Sequence, residues 1–326
     1  MLRLPALFTV PGDALAGAAA AGARPEARTL LAIGSSLCLY EAGMALNDWA
    51  DRAEDAAERP HRPLPSGRIR PAAALTVAGA LTGAGLTLAA RAGRPALAVA
   101  APLAALVWAY DLTLKHTPAG PLAMAATRGL DLLLGAASTT GRPLEALPCA
   151  ALLGTHTLAV TTLSRQETKG GSALPPLTAL ATTALLTRLT THRSSRLLAD
   201  QGESTVQRLP TLRPRRTDAP GRLIGARRPA QATAHLTPAH LTPAHFTPAL
   251  TTALATAYAA TTARPCFHAL LNPSPPLVQR AVGAGIRATI PLQATLTARS
   301  GAPATALLVA ALAPFGRTFA RKVSIT

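Results

Sequence analysis

Apolar stretches return along this chain about every 20 residues, and that recurrence constrains the fold more than any other feature. An α-helix rises 1.5 Å per residue, so about 20 residues cross the ~30 Å hydrocarbon core of a bilayer. Ten stretches of this kind are readable, at 5–22, 29–46, 71–90, 95–112, 121–138, 146–163, 172–189, 249–264, 279–297 and 302–318. Many consist of Ala, Gly and Thr rather than Leu and Phe, and small residues let membrane helices approach closely. The same composition makes each stretch only weakly hydrophobic, so the number of crossings reads as eight, nine or ten. Only 14% of the 326 residues are charged and 49% are hydrophobic, against about 25% charged in a soluble domain. Disorder and a soluble globule are both poor fits to that balance. The expected fold class is an all-α, polytopic membrane helix bundle of about nine transmembrane helices.

The net charge of +17 would point to nucleic acid in a hydrophilic protein. Here the basic residues punctuate apolar runs, which fits loops beside an anionic membrane surface and argues against nucleic acid as a partner. Arg52, Arg59, Arg62, Arg68 and Arg70 fill one connection, Lys115 and His116 another, and Arg165 and Lys169 a third. These are alternate connections, so all three are expected on the cytoplasmic side of a cell membrane. Arg3 at one end and Arg317, Arg321 and Lys322 at the other carry the same signal. Two cytoplasmic ends require an even number of crossings, whereas nine follows if one late segment is re-entrant. The first apolar stretch lacks a strong basic flank, so no cleaved leader is expected.

Three blocks follow from this pass: helices over 1–189, an insert over 190–248, and further helices over 249–326. The insert is dense in Pro, Thr, Arg and His and ends in the repeat AHLTPAHLTPAHFTPA, which reads as a loop without a packed core. His235, His240 and His245 recur every five residues within it, but nothing nearby fixes a metal geometry. Cys38, Cys149 and Cys266 lie in apolar stretches and read as small core residues rather than a disulfide framework.

The chemistry concentrates where the second stretch ends, in Asn47-Asp48-Trp49-Ala50-Asp51-Arg52-Ala53-Glu54-Asp55. Asp48, Asp51 and Asp55 are spaced i, i+3, i+7, so a continuing helix presents all three carboxylates on one face. Converging anions repel unless a cation lies between them. Mg2+ suits the set because it prefers oxygen ligands and bridges carboxylates to phosphates.

The run NDWADRAEDAAERPHRPLPSGRI closely resembles the NDxxDxxxD motif and following RPLPSG-type segment of the UbiA superfamily of intramembrane prenyltransferases. Tyr110-Asp111-Leu112-Thr113-Leu114-Lys115, with Gly120 and Arg128-Gly129-Leu130, is similar to that family's YxxxLK…G…RG segment. The stretch 272–294 is similar to late helices of some bacterial members, and the insert has no counterpart. The family's second acidic motif, DxxDxxxD, falls on Ser164-Arg165-Gln166-Glu167-Thr168-Lys169-Gly170-Gly171, where Glu167 alone keeps a carboxylate. This form resembles a divergent, EboC-like branch.

The resemblance implies a helix bundle with a central cavity open to the cytoplasmic side. It also implies transfer of a prenyl group from an isoprenoid diphosphate to an acceptor held within the membrane. Asp48, Asp51 and Asp55 would hold Mg2+ against the diphosphate, with Asn47 beside them, and Glu167 would be the remaining ligand of the second motif. Arg62, Lys115, Arg128 and Arg165 would contact the diphosphate. The acceptor and the prenyl length are not readable. The degraded second motif keeps a rival open, a non-catalytic relative that binds or helps export an isoprenoid lipid or prenylated metabolite. A soluble terpene synthase is a third class, against which the composition argues.

Other polar residues fall inside stretches. Glu41 shares a helical face with Asp48, and His156 lies about three turns before Glu167. Each reads either as a cavity group or as a helix–helix contact. Arg128 with Asp131, and Asp111 with Lys115, have spacings that allow local ion pairs.

Overall fold

The computed structural model describes residues 7–168, 170–206 and 243–323. These residues form eleven α-helices and no strand. The helices are α1 (Val10–Ala20), α2 (Ala27–Ala50), α3 (Arg52–Glu58), α4 (Pro71–Ala92), α5 (Arg94–Ala109), α6 (Gly120–Thr140) and α7 (Leu147–Ser164), then α8 (Leu174–Val206), α9 (Pro243–Leu271), α10 (Pro275–Arg299) and α11 (Pro303–Val323). Every one of the ten apolar stretches becomes one helix, and the eleventh, α3, carries the end of the acidic motif with Asp55. Four helical segments are long and apolar enough to cross a membrane: Ala27–Ala50, Pro71–Ala92, Arg94–Leu114 and Pro143–Ser164.

Local chemistry sets the ends. Pro71, Pro275 and Pro303 open α4, α10 and α11, where a missing N–H costs nothing. Gly141 stops α6 in the left-handed region at φ 73° while its N–H reaches the Ala137 carbonyl. Within the expected loop over 190–248, the described residues are 190–206 and 243–248, and both segments are helical. Residues 190–206 continue α8, because no proline interrupts the chain between Pro176 and Pro210, and 243–248 open α9 with Pro243 in its first position. The repeat histidines His235 and His240 lie outside the described residues, and His245 lies on α9.

The short helix α1 occupies the middle of the bundle. Val10 and every residue from Gly12 to Ala19 are buried, enclosed by α2, α6, α7, α10 and α11. Glycine makes this possible: a Cβ on Gly17 would lie 1.9 Å from the Leu132 carbonyl oxygen, and one on Gly135 2.3 Å from that of Ala14. The backbones of α1 and α6 therefore touch, which only small residues permit. On the other side of the bundle, α2 packs along α4, where the Ser35 hydroxyl donates to the Gly85 carbonyl at 2.7 Å. A third junction ties α7, α9 and α10. His156 places Nδ1 3.1 Å from the Tyr258 hydroxyl and Nε2 3.1 Å from the Gly285 carbonyl. The carbonyl can only accept, so Nε2 carries the proton and the Tyr258 hydroxyl donates to Nδ1. His156 is thus a buried helix clamp.

Candidate active site

The acidic motif sits where α2 gives way to α3. Helix assignment pauses at Asp51, yet the Asp51 N–H reaches the Asn47 carbonyl at 2.9 Å and the Asp55 N–H reaches that of Asp51 at 2.8 Å. The backbone hydrogen bonds thus carry across the junction.

Each of the three aspartates faces a cation. Arg62 places Nη1 2.6 Å from Oδ2 of the buried Asp55 and 3.9 Å from Oδ1 of Asp48. Arg59 adds a contact to Asp55 at 3.4 Å. Arg62 is aimed by its loop: the Ser66 N–H returns to the Arg62 carbonyl at 3.0 Å, and Arg68 Nη2 donates to the His61 carbonyl at 2.6 Å. Lys115 donates from Nζ to Asp51 Oδ1.

Lys115 follows a single π-turn, Tyr110–Leu114, closed by the Lys115 N–H on the Tyr110 carbonyl at 2.9 Å. Such turns insert one residue into a helix and are common at functional sites. This one buries Asp111, whose Oδ1 accepts from Asn47 Nδ2 at 3.1 Å. The local Asp111–Lys115 pair allowed by the sequence is therefore replaced by two contacts to α2 and its end, Lys115 with Asp51 and Asp111 with Asn47.

Between α2, α5, the π-turn and α6 lies a cavity of about 380 Å3. Asn47, Asp51 and Asp111 stand at its motif end; Leu39, Gly43, Met44, Leu103 and Val107 form apolar wall; Ser36, Thr127, Arg128 and Asp131 line it farther in. A neighbouring cavity of about 330 Å3 is lined by Lys115, His116, Ser164 and Arg165, and Tyr110 borders both. The degraded second motif thus comes to Lys115 through Ser164 and Arg165. Arg165 Nη1 donates to the Thr117 carbonyl at 2.8 Å. Glu167 is half-buried and lines neither cavity, and its carbonyl accepts from Gln279 Nε2 at 3.5 Å. The turn around it is pinned to the α9–α10 junction by the Gly171 N–H on the Pro273 carbonyl at 2.8 Å. Lys169 lies outside the described residues.

Arg128 does not pair with Asp131. Its Nε lies 3.1 Å from Oδ2 of Asp13 on α1, and its Nη2 donates to Thr9. Asp131 instead accepts from Ser36. Asp13 is fully buried and takes a hydrogen bond from Gln293 of α10 at 2.6 Å. Sequence reasoning passed over Asp13, although a lone carboxylate in an apolar stretch is itself a signal. It also set Asp111 aside and passed over Glu54. Ligand atoms of Asp51, Glu54 and His116 lie within 4.8 Å of one another, an arrangement that can hold a divalent metal. Oxygen donors dominate the surrounding set, as Mg2+ requires. Glu41 is half-buried and does not line the main cavity.

Comparison with known proteins gives a consistent picture. The model of the UbiA prenyltransferase family matches residues 7–190. A digeranylgeranylglyceryl phosphate synthase of Methanopyrus kandleri is 36% identical over 113 residues, 35% of this chain and 40% of the relative. One from Methanothrix thermoacetophila is 35% identical over 147 residues, 45% of this chain and 53% of the relative. The chain thus spans about half the length, or less, of these curated relatives. The solved apo structure of a UbiA homolog from Aeropyrum pernix K1 superposes with a TM-score of 0.53 at 18% identity, covering 86% of this chain and 96% of that one, a likeness of fold. With more than half of its residues under the family model and the bundle of a solved homolog, this chain is a multi-pass membrane protein belonging to the UbiA prenyltransferase family.

Proposed function

We propose that this protein transfers a prenyl group from an isoprenoid diphosphate to an acceptor inside the membrane, with the motif end of the bundle on the cytoplasmic side. The observation that carries this reading is the cavity with carboxylates and an amide at one end, where Lys115 rests on Asp51 from the neighbouring cavity, and apolar wall behind them. That polarity matches a diphosphate head joined to a hydrocarbon tail. Two relatives named as digeranylgeranylglyceryl phosphate synthases support the reaction class.

Asp48, Asp51 and Asp55, with Asn47 beside them, would hold Mg2+, and Glu54 and His116 flank Asp51. Bound there, Mg2+ would neutralise diphosphate oxygens. Lys115 and Arg62 already rest on these carboxylates, so a diphosphate arriving with its metal takes over cations that are held in place. Arg165 adds charge from the second cavity. The bond from C1 to the diphosphate oxygen breaks and its electron pair leaves with the diphosphate, where the fixed cations favour the departing charge. The acceptor's nucleophilic atom then bonds to C1 and releases its proton. The apolar walls keep water from the allylic cation formed between those steps.

Titration of the detergent-purified protein with geranylgeranyl diphosphate, with and without Mg2+, tests this reading. Magnesium-dependent binding that disappears in Asp51→Asn is the expected result. Binding indifferent to both Mg2+ and Asp51 would overturn it and favour a lipid-binding role.

A further inference from the structure

The inner part of the main cavity holds polar groups that chemistry at the acidic motif leaves unused. On α2, Ser36 lies eleven residues before Asn47; on α6, Asp131 lies eleven residues after Gly120, whose backbone adjoins Lys115. Both helices therefore set this end about 16 Å from the motif. Ser36 Oγ donates to Asp131 Oδ1. Arg128 is gripped by residues that do not line the cavity: Asp13 at Nε and Thr9 at Nη2. Gln293 fixes that grip by donating to Asp13 Oδ1 at 2.6 Å and to the Thr9 carbonyl at 2.7 Å. Among the described residues, nothing hydrogen-bonds the Nη1 amino group of Arg128, which stands on a residue lining the cavity.

A hydrocarbon tail that ran past the apolar wall into this inner end would leave Nη1 dry and unsatisfied, a costly arrangement in a membrane interior. Ionisable groups at such depth persist where they serve a cavity. The charge count then restricts the ligand. Asp13 and Asp131 already balance the charge of the one guanidinium, so the site offers no net positive charge to a further anion.

We infer that Ser36, Arg128 and Asp131 anchor an uncharged oxygen-bearing group, a hydroxyl or a carbonyl, at the end of the acceptor remote from the bond that forms. Arg128 Nη1 donates a hydrogen bond to that oxygen, and where it is a hydroxyl its O–H donates one to Asp131. The inference rests on the prenyl-transfer reading for the identity of the ligand as acceptor. It makes the acceptor an elongated, mostly apolar molecule with a neutral polar end.

The test uses the full chain in lipid nanodiscs and two photoactivatable aryl diazirines, one bearing a para-hydroxyl and the other a para-carboxylate. After irradiation, labelled peptides are mapped by mass spectrometry. The phenol is expected to label the 36–47 and 124–131 segments saturably, and the carboxylate about tenfold less. Labelling by the phenol should fall about tenfold in Arg128→Met and in Ser36→Ala, the loss expected for one removed hydrogen bond to a charged group. If Arg128→Met does not fold, Ser36→Ala with Thr127→Val decides by the same criterion. Equal labelling by both probes, or full labelling in the Ser36 variants, would overturn the anchor while leaving magnesium-dependent diphosphate binding untouched. Loss of that diphosphate binding with phenol labelling intact would instead remove the prenyl-transfer reading, and with it the acceptor assignment.

Discussion

Arg62 reaches back to Asp55 across the loop that follows the acidic motif, Nη1 to Oδ2 at 2.6 Å, and so holds the most deeply buried of the three aspartates. The same nitrogen stands 3.9 Å from Asp48. The two outer carboxylates of the motif thus share one guanidinium, while Asp51 between them belongs to Lys115. Removing Arg62 leaves Asp55 with the longer Arg59 contact. Arg62→Ala is therefore expected to destabilise the protein by about 1–3 kcal/mol, less than for a fully buried pair because Arg62 is partly exposed. Thermal unfolding in detergent measures this, and an unchanged midpoint would show that the pair contributes nothing.

Lys115 and a metal compete for Asp51. In Lys115→Met the carboxylate loses an ammonium that a divalent cation must displace, so affinity for Mn2+ alone should rise. Affinity for geranylgeranyl diphosphate should fall about tenfold, because one charge-assisted contact is lost. Calorimetric titration of each ligand separates the two effects, and a parallel fall in both would contradict the competition.

The His156 clamp is structural, and its removal should show as stability alone. Tyr258→Phe deletes the donor to His156 Nδ1 and strands a buried acceptor, at a cost of about 1–2 kcal/mol. The unfolding midpoint should drop while diphosphate affinity stays at the parent value. A shift in affinity would place His156 in the site after all.

Glycines divide into two kinds that one substitution distinguishes. Gly17→Ala drives a methyl into the Leu132 carbonyl, and Gly135→Ala one into that of Ala14; neither obstacle is a side chain that can turn aside. Separation of α1 from α6 should cost about 1–3 kcal/mol. At Gly79 and Gly83 of α4 an added Cβ meets nothing within 4 Å, so alanine there should be neutral or stabilise by about 0.5–1 kcal/mol. Unfolding curves of the four variants check the contrast, which fails if all four behave alike.

The bundle was legible because each of its helices except the short α3 is announced by an apolar run of its own residues. The motif carboxylates were legible from their own spacing, and Lys115 from the resemblance of its segment to the family's. What escaped depended on distant partners. Nothing near Asp13 in the chain announces that Arg128, 115 residues later, and Gln293, 280 residues later, will close around it. Asp111 was misleading because its spacing from Lys115 suits an α-helical pair, while the π-turn and the neighbouring α2 redirect both side chains. The continuation of α8 past residue 189 was obscured by averaging it with the proline-rich sequence beyond.

The enclosure of α1 also sets an order of events during synthesis. Asp13 leaves the ribosome with α1, and the Gln293 amide that completes its surroundings follows 280 residues later, on the order of half a minute at ~5–20 residues per second. Arg128 arrives less than halfway through that interval. The innermost helix is thus made before the helices that enclose it and completed only with α10, and until α10 is inserted the nascent chain carries a carboxylate whose cationic partner is Arg128 but whose amide partner is still missing.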